Sequence, residues 1–144
     1  MASFEFSGFD ELDAALNRLG QPPDEVKTKA LTEMAKVAAG KIKNQGEALG
    51  VRDPESDVHI LDKIKVNKPK LNAAGGICTI TFAGTRSRGR KRVRNAEIAF
   101  INEYGTREQN ARPFIGQAMT QNEKAIVDPG AEIIGDWIEK TFKE

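Results

Sequence analysis

The chain has 144 residues, 39% of them hydrophobic and 30% charged, and carries a formal net charge of only +1. That length suits a single domain over 1–144 with a core of its own, since domains commonly hold ~100–150 residues and at this size bury about two-thirds of their unfolded surface. No apolar run reaches the ~18–20 residues of a membrane span, and Met1-Ala-Ser-Phe-Glu-Phe lacks the basic and apolar regions of a secretory signal, so neither a membrane nor export is expected.

In chain order, Ser3 to Ser7 alternates polar and apolar residues as a short half-buried strand does. Gly8 breaks it, and Asp10 caps a short helix carrying Leu12, Leu16 and Leu19. After the Gly20-Gln-Pro-Pro turn, the spacing of Val26, Ala30, Leu31, Met34, Val37, Ala38 and Ile42 predicts one long amphipathic helix from about Asp24 to Glu47. Residues 46–57 read as loop, and His59 to Val66 fits either a helical turn or the start of a strand. Ile77–Ala83 is β-branched and alternating, so it reads as a strand with Cys78, Ile80 and Phe82 on one face. Glu97–Tyr104 is read as its antiparallel partner, with Ile98, Phe100 and Tyr104 on one side. Arg112-Pro113 opens a helix that turns Phe114, Ile115, Ala118 and Met119 inward. Asp128-Pro129-Gly130 then interrupts or restarts it, before a last helix striped by Ile133, Ile134, Trp137, Ile138 and Phe142. Runs of like elements rather than βαβ alternation predict an α+β fold. The expected architecture is an antiparallel sheet of three to four strands with a long basic-tipped hairpin, packed by the long N-terminal-half helix and the C-terminal helices.

The tip of that hairpin concentrates charge. Arg86, Arg88, Arg90, Lys91, Arg92 and Arg94 fall between Gly84 and Ala96 with no acidic residue among them. Taking those six charges from the net +1 leaves the rest of the chain at −5. In an extended ribbon the even-numbered arginines share one face, a row able to meet successive phosphates with steep salt dependence. Without an aromatic residue in the segment, base stacking is not expected. Three roles stay open: contact with an acidic partner protein, contact with passing DNA, or a plain solvated loop.

Catalytic constellations are missing from the sequence. It has no Walker loop, no His-Glu-x-x-His and no Gly-x-Ser-x-Gly. One cysteine (Cys78) and one histidine (His59) leave little for a disulfide, a metal site or a His-dependent nucleophile. No enzyme activity, metal or cofactor is expected.

Glu103-Tyr104-Gly105-Thr106, followed after a polar loop by Ala111-Arg112-Pro113-Phe114, resembles the signature of the head–tail joining family of long-tailed phages, the tail-component family. The opening Gly8-Phe9-Asp10-Glu11-Leu12 and the long Lys/Ala-rich helix are similar to that family's N-terminal half, so the resemblance spans most of the chain. Residues 46–66 depart from it, since the family's Thr-Gly before the first sheet strand is absent, and the basic stretch 86–94 is an elaboration of this chain. The resemblance implies a structural virion protein of the neck, a tail-completion ring subunit that docks to portal-side and tail-tube partners. It would be made in the host cytoplasm and located at the head–tail junction; non-specific contact with passing DNA is a separate expectation, drawn from the basic 86–94 loop. The residues themselves give the motif an architectural reading. Gly105 permits φ > 0, Pro113 fixes a first helical turn, Phe114 anchors the core, and Arg112 is free for a carboxylate such as Glu103. A reading of another class is a small DNA-binding module using the 86–94 loop.

Overall fold

The computed structural model describes residues 20–51, 59–73 and 75–143. The strand and short helix expected before residue 20, and residues 52–57 of the loop expected at 46–57, lie outside the described residues.

The fold is α+β and is organised around one long helix, α1 (Asp24–Ala48), as its apolar spacing predicts. Its inner face is lined by small residues, with Ala30, Ala35, Ala38, Ile42 and Gly46 all buried, so neighbours approach its backbone closely. A Cβ on Gly46 would stand 2.5 Å from a Leu61 methyl and 3.2 Å from the Phe114 ring. That contact explains a glycine inside a helix, where it otherwise costs about 1 kcal/mol. The helix therefore runs through the glycine that the sequence marks as the start of a loop. It ends instead in a Schellman motif: Gly50 has φ 74°, its N–H donates to Glu47 O, and the Val51 N–H donates back to Gly46 O at 2.8 Å.

A 3₁₀ turn (Ile60–Lys63) leads directly into β1 (Ile64–Val66), so the stretch that fits both a helical turn and a strand contains both. β1 pairs with β4 (Ile80–Phe82), and β2 (Lys70–Asn72) pairs with β3 (Gly75–Ile77), all antiparallel. Ile64 faces Phe82 while Lys70 faces Ile77, so the register slips by one residue between the two ladders. Three residues, 67–69, thus oppose two, 78–79, which makes one hairpin with a bulge at its waist. The Cys78 thiol donates to Asn67 O across this waist (3.2 Å), and burial pushes its pKa up.

The sheet differs from expectation. Instead of three or four strands in one sheet, the described residues form three two-stranded ladders. The cause is Glu97–Tyr104, which is not a strand but most of a helix, α2 (Asn95–Tyr104). Asn95, Ile98, Ala99 and Asn102 are its buried residues, the last three at i, i+1 and i+4, whereas Phe100 and Tyr104 face outward. Deprived of that partner, the basic segment closes on itself. β5 (Thr85–Arg88) pairs with β6 (Lys91–Arg94) through a two-residue turn. Gly89 takes φ 61° and Arg90 a negative φ, as a type II′ turn requires.

Two helices complete the fold, α3 (Phe114–Gln121) and α4 (Glu123–Lys143). Phe114 and Ala118 are fully buried, and the Phe114 ring meets Phe82 edge-on at 5.9 Å. The expected break at Asp128-Pro129-Gly130 is absent. α4 runs through Pro129, and the break falls instead at Asn122. Gly130 is pressed onto Met34 of α1, leaving no room for a Cβ. Packing along α1 thus outweighs the local cost of an interior proline, about 3 kcal/mol. The α4 stripe is half-buried rather than enclosed: Trp137 and Ile138 are partly covered and Phe142 is exposed.

Candidate docking surface: the basic hairpin and the cleft at its root

The hairpin divides its charges between two faces. Residues directly opposite across an antiparallel pair share a face, as do residues two apart along a strand. The register Arg86↔Val93 and Arg88↔Lys91 therefore puts Arg86, Arg88, Lys91 and Val93 on one side, and Thr85, Ser87, Arg92 and Arg94 on the other. The even-numbered arginines do not form the single row expected. The two-residue turn pairs an even position with an odd one, and parity inverts across it.

The two faces meet different surroundings. Val93 packs against the core cluster, so its side of the ribbon is the inner one. On the outer side, Arg92 donates Nε–H to Thr85 Oγ1 (2.9 Å) and Arg94 pairs with Glu97 (3.0 Å). These ties are exposed, and such pairs contribute at most about 1 kcal/mol. On the inner side, Arg86 donates Nε–H to Asn95 Oδ1 at 3.0 Å. Asn95 is only 1% exposed and forms the knot of the hairpin root: its Nδ2 donates to Ala83 O (2.8 Å) and its backbone N–H to Gly84 O (3.0 Å). Arg88, Arg90 and Lys91 make no contact with a described side chain acceptor and stand in solvent.

Beneath the inner face lies a cleft of about 320 Å³. Arg86, Arg88 and Arg112 line it together with His59, Asn102 and Gln109, over an apolar floor of Val51, Ile60 and Ile98. None of the described residues that line it is acidic. Sequence reasoning flagged the hairpin arginines and Arg112 separately but did not bring them together. The residues of this cleft come from positions 50 to 112, and no local signal unites them.

The motif residues work mainly as a buckle. Gly105 caps α2 with φ 75°, and a Cβ there would stand 2.7 Å from Ala111 N, so both conformation and space demand glycine. Thr106 closes the loop that follows: its hydroxyl accepts from the N–H groups of Glu108 and Gln109, and its N–H donates to Gln109 O. Arg112 N–H donates to Asn102 O. Pro113, at φ −75° and ψ 63°, makes an inverse γ-turn in which Phe114 N–H reaches Arg112 O (2.7 Å). Glu103 does not pair with Arg112 as its position suggests. Its carboxylate accepts from the N–H groups of Ile115 (2.8 Å) and Gly116 (2.9 Å), satisfying donors that the start of α3 leaves open. Arg112 instead donates through Nη1 to Gly50 O (3.0 Å), the end of α1. Tyr104, 69% exposed, packs at 4.7 Å and a tilt of 49° against Phe100, 62% exposed, as an aromatic pair on the outer side of α2.

Among the described residues no group of three or more His, Cys, Asp or Glu side chains could hold a metal ion, and no helix is long and apolar enough to cross a membrane. Neither a protein-family model, nor a curated protein, nor a solved structure matches the chain.

Proposed function

We propose that the protein is a structural subunit of a phage head–tail junction, a neck or tail-completion component that works by docking to portal-side and tail-tube partners rather than by catalysis. One observation carries this reading: a well-bonded buckle stands beside a free, triply charged surface. The Glu103–Phe114 segment spends its hydrogen bonds on joining α1, α2 and α3, while the ribbon beside it offers Arg88, Arg90 and Lys91 to solvent. The exposed Phe100–Tyr104 pair adds the kind of aromatic anchor that protein interfaces favour. In a ring, heterologous contacts close by rotation and repeat these charges around the axis as a positive band.

A DNA-binding module is the second reading, supported by the unpaired cations at the hairpin tip. The division of arginines between two faces weakens it, because a duplex can lie against only one of them. Light scattering after size exclusion, at low and high salt, with and without duplex DNA, separates the two. A ring-sized species, alone or with a neck partner, is the result expected. A compact monomer that binds DNA tightly, and loses it when Arg88, Arg90 and Lys91 become serine, replaces the joining role with the DNA module.

A further inference from the structure

We infer that the cleft at the hairpin root is a receptor for a carboxylate-bearing segment of a partner protein. The inference rests on the docking reading and gives that partner a chemistry.

Three arginines, Arg86, Arg88 and Arg112, line one small recess, and none of the described residues in its walls is acidic. Like charges gathered this way repel one another and are stabilised by an anion between them. Arg86 sharpens the case. Its Nε–H is held by Asn95, which fixes the guanidinium plane, and its Nη2 is buried with no hydrogen-bond partner among the described residues. An unsatisfied buried donor costs free energy, more so on a charged group. His59 Nδ1, in the same lining, is likewise buried and unpartnered. Arg112 gives Nη1 to Gly50 O, which holds its side chain in place while other N–H groups of the fork remain available. Positioned arginines with spare donors match the two oxygens of a carboxylate.

The recess also selects against a duplex. DNA carries its phosphates on the outside of a wide cylinder, which meets the projecting tip and not a cleft of about 320 Å³ below it. An Asp or Glu side chain on an extended peptide reaches inward, and its stem rests on the floor of Val51, Ile60 and Ile98. Asn102 is tied to Ile98 O and Gln109, so the amide wall is already set. The ligand is thus an acidic peptide segment, its chain running along the inner face of the ribbon where Lys91 stands beside Arg88.

The test is calorimetric titration of the full chain with a blocked hexapeptide of alternating Asp and Glu, with its Asn/Gln counterpart and a short DNA duplex as controls. The acidic peptide is expected to bind one per chain and the neutral one not at all. Arg88→Gln with Arg112→Gln should weaken the peptide by about tenfold or more, the effect of losing hydrogen bonds to a charged group. Arg90→Gln with Arg92→Gln, outside the cleft, should cost no more than about fivefold, as for exposed charges. Arg88→Gln alone, at an exposed position, keeps the test valid if Arg112→Gln loosens the Gly50 contact. The inference is overturned by equal losses in the two double variants, by no peptide binding, or by a duplex that binds tighter than the peptide and is lost in the cleft variant. It is overturned too if only a chain carrying D53N, E55Q and D57N binds the peptide, since carboxylates of the chain itself would then satisfy the cleft. Assembly by a cleft variant that takes no peptide leaves the joining role standing without the receptor. Peptide binding by a chain that assembles with nothing leaves the receptor without the joining role.

Discussion

Residues 85–94 and 103–114 are neighbours in sequence and opposites in physics. In the second stretch the side chains of Glu103, Thr106, Gln109 and Arg112 all have partners inside the fold. Glu103 caps α3, Gly105 and Thr106 turn the chain, Arg112 holds the end of α1, and Phe114 fills the centre of the core. In the first, the backbone is satisfied by a two-stranded ladder while the cations at its tip are left to solvent or to the cleft. A motif rich in charged and aromatic residues invites a functional reading, yet here it is the frame. The basic segment is the one whose tip cations stay available to a partner. What distinguishes them is not residue type but whether each polar group already has a partner inside the fold.

That contrast can be broken by mutation, and the largest effect belongs to the frame. Phe114→Ala removes a fully buried ring that meets Phe82 and lies over Gly46. It should destabilise the fold by about 3–5 kcal/mol in denaturant titration; a cost under about 1 kcal/mol would mean that the core does not centre there. Asn95→Ala comes next, because Asn95 joins the two regions. It would leave Ala83 O and the Arg86 guanidinium short of a partner, at about 1–3 kcal/mol. Hydrogen exchange should then show the β5–β6 amides losing protection ahead of α1; simultaneous loss would make the hairpin part of the cooperative core. Glu103→Ala opens two N–H groups of α3 and should cost about 0.5–2 kcal/mol. An unchanged midpoint would reassign Glu103 from frame to free surface.

Much of the frame was legible in the sequence. The stripe of α1 gave that helix within a residue, and Pro113-Phe114 marked the start of α3 with its anchor. Failure came where a short apolar run fits both periods. Ile98, Phe100 and Tyr104 alternate as a strand would, while Ile98, Ala99 and Asn102 follow a helical face whose third member is polar and so looks exposed. That one choice moved the rest, since a strand at 97–104 demands a long hairpin and a helix there leaves the basic segment to fold alone. Gly89, between two arginines, carried the missing signal for a two-residue turn. At Pro129 the local rule was sound but lost to the fit of Gly130 against Met34. The cationic residues were all visible as a list. Their faces and the cleft were not, because both depend on register and on contacts between distant segments.

The smallest expected change in stability falls on the charged region and sharpens the comparison most. Arg88→Ser with Arg90→Ser and Lys91→Ser removes three exposed cations from the ribbon. Substitutions at such positions usually stay within about 0.5 kcal/mol. Serine keeps a strand-compatible backbone, and the ladder hydrogen bonds and the Gly89 turn do not depend on these side chains. Relief of repulsion among like charges could even raise the unfolding midpoint at low salt, a gain that added salt would erase. The same variant should lose affinity for an acidic partner and the salt dependence that goes with it. A chain that melts as the wild type does but no longer docks places function in the ribbon and structure in the buckle. If the triple variant instead unfolds several degrees earlier, its cations support the fold after all, and the division between the two regions fails at the point where it is drawn most sharply.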